Sequence, residues 1–321
     1  MRTHGLWDKF PTVQSKLQEV LNVIGEVIDS SPSPVKDDLK NLYCNSGKLL
    51  RPAFLLLSAT AGEEVHPHLI EAAASIELLH GATLIHDDVI DRSPLRRGRP
   101  TAYAARGAKQ AVLTGDYLLS RALELASRAH AEPLVKGLSE SISRLCLSEI
   151  RQDSTQGEFF IDREEYFRRI QGKTAELFGL SCFTGAVLSG VNEEVSREFY
   201  RLGIDFGMAF QIEDDILDYG GNGKLMGKRT GSDIRAGIPT LPLILALEEG
   251  GAFLQKLCRY PWYILFPRTI GRIVLSGKGV AEAGKIGKEY RQSFLERLDR
   301  LDFPDKKVFR QLVETLVNRK S

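Results

Sequence analysis

Residues 69–90 read LIEAAASIELLHGATLIHDDVI, a long and largely apolar run rich in Ala, Leu and Ile that ends on acid. Length and composition make it a helix rather than a strand. Working outward, the same character recurs. Leu6 to Ile28 spaces its apolar residues by three and four, and Ser30-Ser31-Pro32-Ser33-Pro34 closes that segment. Gln110 to Ala129, Leu134 to Arg151, Glu164 to Leu188 and Glu193 to Tyr219 continue the pattern. No stretch alternates with period two over a useful length, and no Asn-Gly or Asp-Gly pair joins apolar runs. The expected fold is all-α: a packed bundle of long antiparallel helices, spanning residues 1–321 as one domain.

Composition narrows the function. Of 321 residues, 43% are hydrophobic, enough for a large core. The 43 basic and 42 acidic residues nearly cancel, giving a net charge of +1. That balance gives no global reason to expect nucleic-acid binding, so anions must be handled by local clusters. Cys44, Cys146, Cys182 and Cys258 form no CxxC pair and read as buried small hydrophobes in a reduced cytosol, not as a disulfide frame or a zinc site. Neither a secretory pattern at MRTHGLWDKF nor a span-length apolar run is present, so a cytoplasmic location is expected.

Two segments interrupt the helices, and each follows an acidic cluster. DRSPLRRGRPT (residues 91–101) follows Asp87, Asp88 and Asp91; a glycine-rich stretch, Tyr219 to Pro242, follows Asp214, Asp215 and Asp218. Both clusters have the form DDxxD. The first and last carboxylates of each lie one turn apart on one helix face, forming a two-pronged acidic grip. A close pair of like charges in a partly buried cleft costs about 4 kcal/mol at an effective dielectric near 20. Such a grip calls for cations, and carboxylate-only donors suit Mg²⁺, which bridges one or two carboxylates to substrate phosphates. The bland alternative is a solvated helix end. The apolar flanks Ala82-Thr83-Leu84-Ile85 and Met208-Ala209-Phe210-Gln211-Ile212 oppose it.

Cationic side chains must hold the rest of a phosphate. Lys48 and Arg51 stand three apart in GKLLRP, as neighbours on one helix face; Arg96 and Arg97 follow the first cluster; Lys173-Thr174 lies in a helical segment; Lys228 lies beyond the second cluster. Each alone reads as a surface charge. Their order, interleaved with both clusters, resembles the trans-isoprenyl diphosphate synthase (polyprenyl synthetase) family, long-chain type. GKLLRP resembles that family's GKxxRP, LLHGATLIHDDVIDRSPLRRGRPT its first aspartate-rich region, and AFQIEDDILDYGG its second. KTAELF, GDYLL, GKRTGSD and the terminal NRK add to a likeness running from about Lys48 to Asn318.

The resemblance implies an isoprenoid synthase-like helical bundle around a deep central cavity, dimeric or heteromeric, with the two acidic motifs facing each other at its mouth. It implies a Mg²⁺-dependent prenyltransferase that condenses isopentenyl diphosphate with an allylic diphosphate, touching membranes at most peripherally through its product. By the same resemblance Lys48, Arg51, His80 and Arg97 bind isopentenyl diphosphate. Arg96, Lys173, Thr174, Gln211 and Lys228 contact the allylic diphosphate or its surroundings. Asp87, Asp91 and Asp214 are the principal metal ligands, with Asp88, Asp215 and Asp218 in support. His80 is otherwise a lone histidine on an apolar helix; it stands two turns before Asp87 on roughly the same face. His86 is expected to serve local hydrogen bonding.

The residues four and five before Asp87 are Thr83 and Ala82, where short-chain members of the family commonly place an aromatic blocker. Small residues let the hydrocarbon pass and imply a longer product, with a floor deeper down, around Leu119 or Ala122. Two positions depart from the pattern. Ile238 stands where the family commonly has Lys, and the Glu149…Gln152 pair lacks its leading glycine. A class I terpene cyclase would share the first DDxxD but not GKxxRP or the second. A non-catalytic subunit of a heteromeric synthase typically loses one acidic motif. A di-iron bundle needs ExxH pairs, which are absent.

Overall fold

The computed structural model describes residues 1–44, 47–64, 66–129, 132–220 and 231–317. Among these the regular secondary structure is helical apart from one two-stranded hairpin. A 3-10 turn, Gly5–Lys9, opens the chain. There follow α1 (Pro11–Ser30), α2 (Val35–Tyr43), α3 (Leu50–Ser58) and α4 (Leu69–Ile90). The hairpin strands are β1 (Leu95–Arg96) and β2 (Arg99–Pro100). After them come α5 (Ala102–Arg128), α6 (Glu132–Ser154), α7 (Arg163–Ile170), α8 (Glu176–Leu188) and α9 (Glu193–Gly220). The remainder comprises α10 (Ser232–Ala236), α11 (Leu241–Glu248), α12 (Ala252–Leu257) and α13 (Trp262–Leu265). Helices α14 (Pro267–Ser276), α15 (Gly279–Arg300) and α16 (Lys306–Val317) complete it.

Contacts divide the chain into two compact units. The first comprises Met1–Ser139, Leu180–Tyr200 and Leu298–Ser321. Its axis is α4, which packs along α5 and also touches α1 and α3. Ala72, Ala73, Ile76 and Leu78 are fully enclosed, so α4 is apolar all round because it has no solvent face over most of its length. Small residues set how near its neighbours come. A Cβ at Gly81 would stand 2.2 Å from the Tyr43 hydroxyl, and one at Gly115 of α5 would stand 2.3 Å from His86 Nε2. Helix α5 begins earlier than the sequence suggests. Thr101 caps it, accepting the Ala104 N–H at 3.0 Å, and a kink at Gly107 (φ +79°) precedes the segment read from Gln110.

The second unit comprises Glu140–Gly179 and Arg201–Arg297. One apolar cluster gathers Tyr166, Ile170, Met208, Ile212 and Ile216 with Leu241 and Ile244. Another gathers Phe159, Ile234, Leu243, Ile270 and Val274. Asp162 starts α7 by accepting the Glu165 N–H at 2.7 Å. The sequence suggests one continuous helix from Glu164 to Leu188. The segment is helical throughout, with a five-residue π turn, Gln171–Ala175, between α7 and α8 that carries Lys173 and Thr174. Such turns widen a helix locally and push their side chains out of register. No helix among the described residues is long and apolar enough to cross a membrane.

Candidate active site

In the first unit the aspartate cluster closes α4. Asp87 is half-buried, Asp91 is exposed, and the Asp91 N–H donates to the Asp87 carbonyl at 2.8 Å, so the two carboxylates leave the helix one turn apart. Asp88 points elsewhere. It is 4% exposed, and both its oxygens accept from Arg96, Nε at 3.1 and 2.9 Å and Nη2 at 2.9 Å. Arg96 sits on β1, so this bidentate pair ties the hairpin to the end of α4.

The hairpin turns at Arg97 (φ +51°) and Gly98 (φ +77°), with Arg96 opposite Arg99 and Leu95 opposite Pro100. Two successive positive φ values define a tight turn whose twist suits a two-residue loop. The turn lays Arg97 over the start of GKLLRP: a Cβ at Gly47 would stand 2.5 Å from Arg97 Nη2. Lys48 is not helical as the spacing implied. Leu49 is left-handed (φ +51°), α3 starts only at Leu50, and Lys48 is anchored through its carbonyl, which accepts from Trp7 Nε1 at 2.8 Å. Lys48 and Arg51 are therefore not neighbours on one helix face.

Arg51, Arg97, His80 and Glu77 feel one another electrostatically. Burial pushes the Glu77 carboxyl up to about 7, with Arg51 and Arg97 pulling it back. Burial likewise brings Arg51 down to about 10. His80 is held well below the usual imidazole range by burial and by the guanidiniums of Arg51, Arg97 and Arg96, so it is neutral and offers a single N–H. His86 faces α5 instead, within 3.4 Å of the Val112 carbonyl and 3.3 Å of Asp116 Oδ1. Lower on α4, Ala82 is 2% exposed, and the Thr83 hydroxyl donates to the His80 carbonyl at 2.8 Å. Ser75 Oγ donates to the Ala122 carbonyl at 2.8 Å, which puts Ala122 beside α4 about 10 Å below Ala82 along the helix.

In the second unit the cluster lies near the end of α9. Asp214 is exposed, Asp218 half-buried, and Asp215 only 6% exposed. Asp215 accepts from the Tyr166 hydroxyl at 2.7 Å and from Gln211 Nε2 at 2.8 Å. Burial pushes its carboxyl up to about 7, and the Gln211 and Tyr166 hydrogen bonds act against that rise. Gln211 in turn accepts from Thr174 Oγ1 at 2.7 Å, so two residues singled out from the sequence meet. Lys173 Nζ lies 2.7 Å from Glu149 Oε1, the first residue of the GExxQ-like pair. Ile238 is half-buried, and its N–H donates to the Asp233 carbonyl at 2.9 Å. Lys228 and Arg229 lie outside the described residues.

Among the described residues no group of three or more His, Cys, Asp or Glu encloses a metal position. What α4 offers is a pair of carboxylates one turn apart. That donor set fits a hard cation that keeps waters and takes its remaining ligands from phosphate, and does not fit zinc. Sequence reasoning missed Glu77, Tyr166 and Asp38. Asp38, buried on α2, accepts from Arg106 Nε at 2.9 Å and Thr114 Oγ1 at 3.4 Å. None of the three sits in a recognisable motif; each is a polar residue inside an apolar helical face, the one signal that would have exposed it.

A sequence profile described as Polyprenyl synthetase matches residues 33–259. Heptaprenyl diphosphate synthase component 2 of Geobacillus stearothermophilus is 37% identical over 245 residues, 75% of this chain and 77% of that one. Nonaprenyl diphosphate synthase of Mycobacterium tuberculosis is 33% identical over 313 residues, 96% and 93% of the two chains. A crystal structure of polyprenyl synthase from Caulobacter crescentus, complexed with calcium and isoprenyl diphosphate, superposes with a TM-score of 0.90 at 27% identity, covering all of both chains.

Proposed function

Because the chain belongs to the polyprenyl synthetase family, we propose the following division of labour among its residues. The protein is a trans-prenyltransferase: it condenses isopentenyl diphosphate with an allylic diphosphate into a long-chain polyprenyl diphosphate. The observation that carries the residue assignment is the set of guanidiniums around a neutral His80, on the same helix as Asp87 and Asp91. Fixed positive charge beside paired carboxylates is an arrangement for holding a diphosphate and its cation together.

Lys48, Arg51, His80 and Arg97 hold isopentenyl diphosphate, His80 donating its one N–H. Arg96, Lys173, Thr174, Gln211 and Lys228 serve the allylic diphosphate. Asp87, Asp91 and Asp214 are the metal ligands, and Asp88, Asp215 and Asp218 fix their helices. Mg²⁺, when bound, stabilises the departing diphosphate and so eases cleavage of the allylic C–O bond. The chain's own part is to hold the isopentenyl double bond against the forming allylic centre, mainly a matter of proximity. The proton lost at the end goes to the released diphosphate. The enzyme works in the cytoplasm as a dimer.

Ala82 and Thr83 leave the channel open to a long product. Ala82→Phe should shorten the products, with Thr83→Phe as companion because Thr83 is half-buried and less tightly packed. Unchanged product length in both, measured by chromatography, would sink the channel assignment. The founding assay uses purified protein, Mg²⁺, labelled isopentenyl diphosphate and primers of several lengths. Incorporation that chelation abolishes is expected. A second reading has its own support: a component-2 relative together with Ile238 in place of Lys. On that reading the protein needs a partner subunit, and no primer is extended until one is supplied.

A further inference from the structure

The family match ends at residue 259, and the chain then reads YPWYILF over residues 260–266. Helix α13 lies within this stretch, against α10, α12 and α14, and buries none of its residues. Tyr260, Trp262, Ile264, Leu265 and Phe266 are 76, 39, 44, 61 and 42% exposed, and Phe253 on α12 is 63% exposed. The ledge is nonetheless anchored. Tyr263 packs edge-on against the buried Phe159 at 5.1 Å, and Trp262 stacks on Phe266 at 5.9 Å. A fixed apolar surface of this kind marks a contact site, not scattered surface residues.

The surrounding charge says what it contacts. Residues 250–281 hold Lys256, Arg259, Arg268, Arg272 and Lys278 and no Asp or Glu, in a chain otherwise balanced at 43 basic to 42 acidic. All five cations are exposed, and none lies within ion-pair distance of a carboxylate among the described residues. Trp and Tyr at a water–apolar boundary, in a stretch whose Arg and Lys are all exposed, match a membrane surface with anionic headgroups. We propose that the residue 260–266 ledge and the exposed cations of its stretch dock the protein on an anionic lipid bilayer. The inference does not depend on the catalytic assignments.

The intact chain itself supplies the probe, because its other tryptophan, Trp7, is fully buried. With vesicles of phosphatidylcholine containing about one-third phosphatidylglycerol, the protein should co-sediment and its Trp emission should shift to the blue. With phosphatidylcholine alone it should do neither. Arg268→Gln/Arg272→Gln should weaken binding roughly thirtyfold. Trp262→Ser/Leu265→Ser should remove most of the binding, read by co-sedimentation because the variant lacks the reporting tryptophan. Circular dichroism melts check both variants; if the apolar pair lowers the melting temperature, the charge pair carries the test. Absence of sedimentation with anionic vesicles, or equal binding by the charge variant, overturns the proposal. So does lipid-free, concentration-dependent self-association that the apolar variant abolishes, which would make the occupant a second copy of the chain.

Discussion

The two DDxxD clusters are written with the same letters and are built differently. On α4 the middle aspartate, Asp88, is gripped by the two-toothed fork of Arg96. On α9 its counterpart, Asp215, takes its hydrogen bonds from neutral donors, Tyr166 and Gln211, with the Arg169 guanidinium acting on it only through space. The surroundings follow suit: Arg51, Arg96 and Arg97 act on His80, two turns before the first, whereas the second has a hydrogen-bonded file from Thr174 through Gln211 and Ile238 where a lysine is usual. A motif thus fixes which carboxylates face outward and leaves open how the inward one is neutralised. The first cluster is held by charge, the second by hydrogen bonds.

The largest expected effect tests what the clusters share. Asp87→Ala and Asp214→Ala should each lower kcat by about a hundredfold or more, since both remove a group acting on charge in the transition state. Near-full activity of either in Mg²⁺ would break the equivalence. Next comes the charged side. Glu77 titrates at about 7 in the folded chain against an ordinary 4.5, so its contribution to stability is full below about 4.5 and lost as pH rises through 7. Glu77→Gln removes that slope. Relative to the parent it should gain on the order of 3 kcal/mol between about pH 4.5 and pH 8, read from denaturant melts; a pH-independent difference would refute the assignment.

A third test sets the two middle aspartates against each other. Asp88→Asn strips the partner from Arg96 and should cost about 2 kcal/mol. Asp215→Asn, whose hydrogen-bond donors are neutral, removes a carboxyl raised to about 7, so relative to the parent it should cost less than about 1 kcal/mol below about pH 4 and gain stability as pH rises toward about 7. Equal losses would erase the distinction drawn above. The smallest effect is expected at Ile238→Lys, which should lower the KM for the allylic primer by roughly threefold through one added exposed cation, with kcat and the KM for isopentenyl diphosphate unchanged.

Much of this was legible beforehand where the signal is periodic. Helices α4, α6 and α9 fall within about three residues of the ranges read from apolar spacing, because long helices average over many side chains. The hairpin was not legible. Strands of two residues show no alternation, and Arg97-Gly98 lacks the Asn or Asp that advertises such a turn. The π turn at Gln171–Ala175 has no side-chain signature, and the left-handed Leu49 belongs to a residue type that rarely adopts it, so Lys48 was placed on a helix it does not join. Motif membership identified Thr174 and Gln211 but could not say that they touch each other. Glu77 carried a signal, an acid inside an apolar helical face, but its raised carboxyl comes from burial beside Arg51 and Arg97, which only the packed state shows.

Arg97 has one more consequence. Its φ of +51° is the conformation that glycine or asparagine adopts with least strain, and the hairpin alone would select either. The guanidinium placed over Gly47 is what only arginine supplies. If Arg97 holds isopentenyl diphosphate as proposed, stability and turnover pull this position in opposite directions. Laboratory selection for thermal tolerance alone should then drift toward glycine there and lose activity, while selection for turnover should keep arginine and carry the strain.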